Sequence, residues 1–191
     1  MDLASLNPKL HAAQRFLLDN HPHLTKTTTK ADIKSVEEFI GRELPKDMTS
    51  YLLEYGEVTA NPDHDVTYFK CDFKSGSIIT SSGALVSPAS KWKYYTGLNR
   101  KAVFRGDTIV NARIPDNTLA FNHSNSTLLM DYRDETFGNI LYIRKVKRQD
   151  FGTLGYDWDD VGFVAENFTE FLRGLGTKKD LKKQHGLKVK L

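Results

Sequence analysis

The chain has one cysteine among its 191 residues, Cys71, so the sequence allows no internal disulfide bond and no zinc cluster built from cysteines. It also lacks a run of about 18 apolar residues, the length that a membrane-spanning helix needs. Residues 1–14 do not combine a basic segment with an apolar one, so we expect no secretory signal. These absences predict a cytoplasmic protein that does not enter a membrane.

Motifs that would indicate catalysis are missing as well. The sequence contains no phosphate-binding loop of the Walker type, no Gly-x-Gly-x-x-Gly and no Gly-x-Ser-x-Gly. Cys71, within Phe-Lys-Cys-Asp-Phe, is predicted to be a core or edge residue of a strand, not a nucleophile. The local metal candidates, residues 21–23 and 63–65, are interpreted as exposed polar segments. We therefore expect no enzyme, no metal and no cofactor.

Charge is unevenly distributed along the chain. Residues 177–191 hold six lysines and one aspartate, which is +5, so residues 1–176 carry a net −2 of the total +3. Residues 47–69 and 149–172 contain five and six acidic residues and no lysine or arginine. Residues 91–113 hold six basic residues against one aspartate, and residues 144–148 add four more. Such segregation is either local bias on solvated faces or a surface that meets a charged partner.

Four helices are indicated by apolar spacing and capping residues. Asn7 and Pro8 begin a helix that ends near residue 20, which we interpret as an N-terminal appendage (residues 1–26) packed on the body. Thr29 with Asp32 begins a second helix, and Leu44-Pro45 begins a third. Near the end of the body, Asn167 can cap a helix with an apolar stripe, and Glu170 can complete a capping box.

Between the third helix and the last one, the sequence is rich in β-forming residues. Seven short strands are predicted, separated by turn residues, at 66–73, 76–82, 102–104, 107–114, 118–123, 127–132 and 139–146. Two hairpins are predicted, with turns at 122–126 and 133–138. Residues 87–99 fit a short helix or a long loop.

The order of these elements resembles the SUKH superfamily, the family of the yeast cell-wall-assembly regulator and of many bacterial immunity proteins. The segments that carry the resemblance are 33–41, 44–56, 118–132, 139–144 and 165–175. The second strand of the central hairpin ends in a Leu-x-Asp-like element, Leu129-Met130-Asp131. The resemblance covers about residues 27–175. It implies an α+β fold, with two N-terminal helices and a C-terminal helix packed on a mostly antiparallel sheet.

The resemblance also implies a function. Many bacterial members bind and neutralise a toxin domain, which would make this chain an immunity protein of a polymorphic toxin system, acting as a monomer or weak dimer. A regulatory or scaffold protein of the same fold, linked to cell-wall or signalling partners, is the alternative. The family offers no shared catalytic residues.

Candidate partner-binding residues lie in the two acidic stretches. Trp158 among three aspartates suits an interface with a basic partner, although a core-facing tryptophan with solvated neighbours fits the pattern too. The proposed negative surface comprises Glu57, Asp63, Asp65, Tyr156, Asp157, Trp158, Asp159 and Asp160.

Two further segments stand apart from this surface. Residues 91–101 mix lysines with aromatic residues, a pattern typical of a nucleic-acid groove. In the context of the family, however, nucleic acid is not the expected partner. Residues 177–191 are interpreted as a flexible basic tail beyond the domain at 27–176, because they contain few apolar residues.

Overall fold

The computed structural model describes residues 1–22, 27–59, 66–81, 84–100, 102–104, 108–110 and 112–187. The helices in these segments are α1 (Leu3–Leu6), α2 (Pro8–Asn20), α3 (Lys30–Ile40), α4 (Lys46–Tyr55), α5 (Trp92–Arg100), α6 (Phe168–Gly174) and α7 (Lys178–His185). The strands are β1 (Val58–Thr59), β2 (Tyr68–Phe73), β3 (Gly76–Ser81), β4 (Ala84–Val86), β5 (Ala102–Phe104), β6 (Thr108–Val110), β7 (Thr118–Ala120), β8 (Thr127–Asp131), β9 (Ile140–Ile143) and β10 (Val161–Ala165). None of these helices is long and apolar enough to cross a bilayer.

The fold is built on a six-stranded antiparallel sheet with the order β3-β2-β10-β9-β8-β7. Strands β1 and β4 pair separately, and so do β5 and β6. The predicted α+β class is confirmed, and so are the two hairpins that join β7 to β8 and β8 to β9.

Strand β10 was not predicted, although it lies in the middle of the sheet between β2 and β9. The strand is five residues long and contains Gly162, which weakens the sequence signal for a strand. A Cβ on Gly162 would lie 2.2 Å from the Cys71 Sγ, so the side chains of β2 occupy the space that any larger residue would need. Cys71 is thus a buried strand residue, as expected.

The predicted helix starts are confirmed. Thr29 and Asp32 form a full capping box at α3, and α4 follows Pro45. At α6 the Asn167 side chain accepts a hydrogen bond from the Glu170 N–H, but the Glu170 carboxylate pairs with Arg173 instead of closing the box.

The two faces of the sheet pack against different layers. Along β8, Leu128 and Met130 belong to the main core beneath α4 and α6, while Leu129 between them points to the opposite face. There a second apolar cluster forms, consisting of Ile114, Ala120, Leu129, Leu141, Ile143 and Tyr156. The loop that contains the candidates Tyr156 to Asp160 packs on this second cluster.

Residues 87–99, for which helix and loop both fitted the sequence, form a 3₁₀ turn followed by α5. Trp92 is fully buried against Phe121 and donates its indole N–H to the Ser87 carbonyl at 2.7 Å. The Thr96 hydroxyl accepts the Ala120 N–H at 2.9 Å, which satisfies a donor on the edge strand β7. Helix α5 therefore covers one edge of the sheet.

The N-terminal segment packs on the body, as predicted. Asn7 caps α2, and its side-chain amide donates to the carbonyls of Leu172 and Leu175 at 2.8 and 2.9 Å. Leu3 and Leu10 are part of the main core. These residues complete the core that α6 covers.

The interpretation of residues 177–191 as an undocked tail is wrong for residues 178–185, which form α7. Thr177 caps this helix, and the side chain of its residue Leu181 is buried. Helix α7 packs on β2 and β3, and Lys9 of α2 reaches Asp180 at 2.6 Å. One well-placed leucine is enough to dock a helix whose composition is otherwise polar. Residues 188–191 lie outside the described part of the chain.

Candidate functional site

Residues 149–160 leave the sheet after β9 and fold back across the second apolar cluster; we call them the 149–160 loop. The Phe151 N–H donates to the Ala112 carbonyl at 2.8 Å, and the Tyr156 hydroxyl donates to the Arg113 carbonyl at 2.6 Å. These two bonds tie the loop to the segment that precedes β7. The loop therefore has a defined position on the sheet.

Tyr156 is the residue that anchors the loop from inside. Its side chain is fully buried, and burial raises the pKa of its hydroxyl to about 12. The prediction that Tyr156 contributes to a partner-binding surface is therefore wrong, because its ring is already covered by the second cluster and by Phe151 at 5.4 Å.

Trp158 is the exposed aromatic residue of the 149–160 loop. The side chain is 44% exposed, so it is neither a core residue nor fully solvated. The Phe151 ring meets the indole edge-to-face at a centroid distance of 5.5 Å. The Arg133 guanidinium carbon lies 4.4 Å from the indole centroid, within the range of a cation–π contact. The indole is thus supported by two neighbours while part of it faces solvent.

Arg133 is itself held by a buried carboxylate. Its Nε lies 3.0 Å from both oxygens of Asp131, and its Nη2 lies 2.5 Å from Oδ2. Asp131 also accepts the Arg133 N–H at 3.0 Å and the Thr136 hydroxyl at 2.7 Å. With its side chain 1% exposed, Asp131 is a buried charge with a full set of donors, as such a group requires.

This arrangement gives the Leu-x-Asp-like element a structural role that the sequence reasoning missed. Asp131 is the last residue of β8 and holds Arg133 in the turn that follows. Arg133 then supports Trp158 in the 149–160 loop. Asp131 and Trp158 are 27 residues apart in the sequence, and no local sequence pattern links them. An Asp-x-Arg spacing directly after a strand was the one available signal.

The three aspartates of the acidic segment have partners within the chain. Asp157 caps the 3₁₀ turn Trp158–Asp160 by accepting the Asp159 N–H at 2.8 Å. Asp159 pairs with Lys74 at 2.9 Å, and Asp160 pairs with Lys147 at 3.0 Å. The pairing with Asp159 raises the pKa of Lys74. These pairs partly neutralise the negative charge expected of this segment. Its exposed apolar side chains are therefore the stronger candidates for contact with a partner.

Leu154 is the second exposed apolar residue of the loop. It is fully exposed in a turn closed by the Tyr156 N–H, which donates to the Thr153 carbonyl at 2.9 Å. Gly155 follows with φ of 77°, a conformation that favours glycine. Leu154 was not predicted as a candidate, and the Leu-Gly dipeptide inside an apolar-flanked turn is the signal that indicates it in the sequence.

The remaining acidic candidates are placed differently. Glu57 follows α4 and leads into β1, which pairs with β4 and is not part of the six-stranded sheet. Its carbonyl accepts the Tyr51 hydroxyl at 3.3 Å. Asp63 and Asp65 lie outside the described residues. A single negative surface formed by both acidic stretches therefore stays a prediction.

Metal binding and thiol reactivity depend on clustered ligands and on an accessible, ionisable sulfur. In the segments that the structure describes, no group of three histidine, cysteine, aspartate or glutamate side chains could hold a metal ion. Cys71 is buried, and burial raises the pKa of its thiol well above the ordinary value. An open depression of about 620 Å³ lies beside Arg133, lined by Ile40, Gly41, Arg42, Asn117, Tyr132, Arg133, Asp134 and Glu135.

Comparison with known proteins gives one match. No curated protein and no solved structure matches the chain. The model of the SMI1/KNR4 family (SUKH-1) matches residues 27–174, which is most of the chain and nearly the same span as the resemblance seen in the sequence. With its helices, its antiparallel sheet and this match in agreement, the chain belongs to the SMI1/KNR4 family (SUKH-1).

Proposed function

We propose that this chain is an immunity protein that binds a cognate bacterial toxin domain and so protects the cell that makes both. Family membership supports the proposal, because the superfamily that the sequence resembles includes many bacterial immunity proteins. In this role the chain acts by binding alone, without catalytic turnover or a cofactor. It works in the cytoplasm as a monomer or weak dimer.

The observation that carries the proposal is the pair of exposed apolar side chains on the 149–160 loop. Trp158 is 44% exposed and Leu154 is fully exposed. A few side chains near the centre of an interface supply most of its binding free energy, and tryptophan is among the most frequent of them. Because Arg133 and Phe151 already support the indole, its immobilisation on binding costs less conformational entropy. We therefore assign the toxin-binding surface to this loop.

The charges around these residues fit a role in encounter more than in affinity. Asp157 and Asp159 are exposed, and the lysine partner of Asp159 is exposed too. Exposed charges at a rim change the association rate and its salt dependence, whereas the buried anchor sets the dissociation rate. A toxin domain with a basic active site, as expected of one that acts on nucleic acid or nucleotides, fits such a rim.

The experiment is co-expression with the product of the adjacent upstream gene, followed by pull-down and a growth assay. We expect the chain to co-purify with that product and to restore growth of cells that express it. The variant Trp158→Ala should weaken both effects. Tyr94→Ala is the matched control, because Tyr94 is an exposed aromatic residue, 62% accessible, that lies on α5 and not on the 149–160 loop. A chain that neither binds nor protects would contradict the proposed function.

A further inference from the structure

Three aromatic rings adjoin one another where α5 meets the β7–β8 turn. Tyr94 and Tyr95 have ring centroids 6.0 Å apart, and Tyr95 stacks on His123 at 6.1 Å with an interplanar angle of 22°. Tyr94 is 62% exposed, and His123 is exposed as well. The two tyrosines are neighbours in the sequence, but His123 comes from a distant turn. The fold therefore builds a row of three rings whose two ends, Tyr94 and His123, are exposed.

The chain segment after β9 lies beside this row. The Val146 N–H donates to the Asn125 carbonyl in the β7–β8 turn at 2.7 Å. Val146 and Tyr95 both pack against the second apolar cluster. Residues 144–148 are thereby fixed next to His123 and Tyr95, which places the basic cluster of the sequence beside residues 91–99.

The three segments that form this surface carry charged residues of one sign. Residues 87–99, 122–126 and 144–148 together contain no acidic residue. Their basic residues are Lys91, Lys93, Arg144, Lys145, Lys147 and Arg148. Lys147 pairs with Asp160, and Lys93 donates to the Ser35 hydroxyl. Lys91 and Lys145 are exposed, and neither forms an ion pair with any residue in the described ranges.

We propose that this ring-and-lysine surface, Tyr94, Tyr95 and His123 with the neighbouring lysines, binds single-stranded nucleic acid. The inference goes beyond the proposed function, because it concerns another surface and another partner. Lysines without carboxylate partners attract a phosphate backbone and release its counterions. Aromatic faces stack on bases, and unpaired bases present such faces whatever their sequence. The carboxylates of an acidic protein would pair with the lysines but would not stack on the row of rings.

The test is a fluorescence-anisotropy titration of the full chain with a labelled oligouridylate of about 15 nucleotides at several salt concentrations. We expect binding that weakens as salt rises, with a logarithmic slope of about −0.7 for each phosphate contacted. Tyr94→Ala should weaken binding about tenfold at every salt concentration, because it removes one stacking face. Lys145→Ala should make the slope less steep by about 0.7.

Matched controls separate this surface from general charge and from the toxin-binding surface. Lys179→Ala removes the same charge from α7, which packs on β2 and β3 at the opposite edge of the sheet, and should leave the titration unchanged. Trp158→Ala should also leave it unchanged, so the two proposals succeed or fail separately. Absence of binding at low salt would overturn the proposal. So would a Tyr94→Ala variant that binds as the parent does, or equal binding of polyglutamate, which would indicate an acidic protein instead.

Discussion

The Arg133 guanidinium carbon lies 4.4 Å from the centroid of the Trp158 indole, while the same guanidinium is held by the buried carboxylate of Asp131. The half-exposed Trp158 is thus supported by Arg133, and the carboxylate of Asp131 keeps Arg133 in place. The turn after β8 and the loop before β10 are coupled by this contact. The coupling is what sets Trp158 apart from an ordinary surface tryptophan.

The contact can be tested in the free protein by the fluorescence of Trp158, taken as the difference between the parent and Trp158→Phe. Arg133→Lys keeps the charge but loses the planar fork that bonds Asp131 and covers the indole. We expect a red-shifted Trp158 emission and stronger quenching by acrylamide. Arg173→Lys, which alters an exposed pair on α6, is the control and should change neither. An unaltered emission in Arg133→Lys would show that Arg133 does not support the ring.

The N-terminal segment should contribute to global stability. Asn7→Ala removes the cap of α2 and the two donors to the Leu172 and Leu175 carbonyls. A lost cap costs about 1 kcal/mol, and the lost bonds to buried carbonyls raise the total to about 2–3 kcal/mol. Urea denaturation measures the change in the free energy of unfolding. Asn20→Ala, at an exposed helix end, should cost less than about 0.5 kcal/mol. Equal, small effects of both changes would show that the segment is dispensable.

Helix α7 should contribute as well, although its composition suggested a tail. Leu181→Ala should lower the free energy of unfolding by about 2 kcal/mol, because the leucine is buried. Deletion of residues 177–191 should lower it by at least as much. Lys182→Ala, one residue further along the helix, is the control and should have little effect. Thermal and urea denaturation report these changes, and a deletion variant as stable as the parent would contradict the docking of α7.

Tyr156 should make stability depend on pH in the alkaline range. Burial raises its pKa from 10.0 to about 12, so the folded state retains a proton that the unfolded chain releases. The stabilisation is fully present below pH 10 and is lost as the pH rises through 12. In Tyr156→Phe the decline of the unfolding free energy between pH 10 and 12 should be smaller than in the parent. Parallel declines in the two proteins would exclude Tyr156 as a cause.

The predictability of each element depended on how local its determinants are. Helices α2, α3, α4 and α6 begin at capping residues or prolines within their own first turn, and the sequence predicts all of them. Strand β10 escaped prediction because Gly162 is explained by the side chains of Cys71 and Phe73 on the neighbouring strand, about 90 residues earlier. Helix α7 escaped because one buried leucine outweighs a polar composition.

The candidate site shows the same division. The acidic segment and Trp158 were visible in the sequence, but the burial of Tyr156 and the lysine partners of Asp159 and Asp160 depend on how the loop folds back over the sheet. The support of Trp158 by Arg133 depends on a buried ion pair at the end of another strand. Contacts of this kind arise between segments that are distant in the chain, so neither periodicity nor composition can show them.

Binding kinetics with the purified cognate toxin domain test the central claim most directly. Trp158→Ala should accelerate dissociation at least 30-fold, the equivalent of about 2 kcal/mol for an anchor residue, and Leu154→Ala should do so to a smaller extent. Asp157→Lys combined with Asp159→Lys should mainly slow association, and raised salt should diminish that effect. The Tyr94→Ala control should bind as the parent does. Dissociation rates unchanged by both Trp158→Ala and Leu154→Ala would show that the 149–160 loop is not the toxin-binding surface.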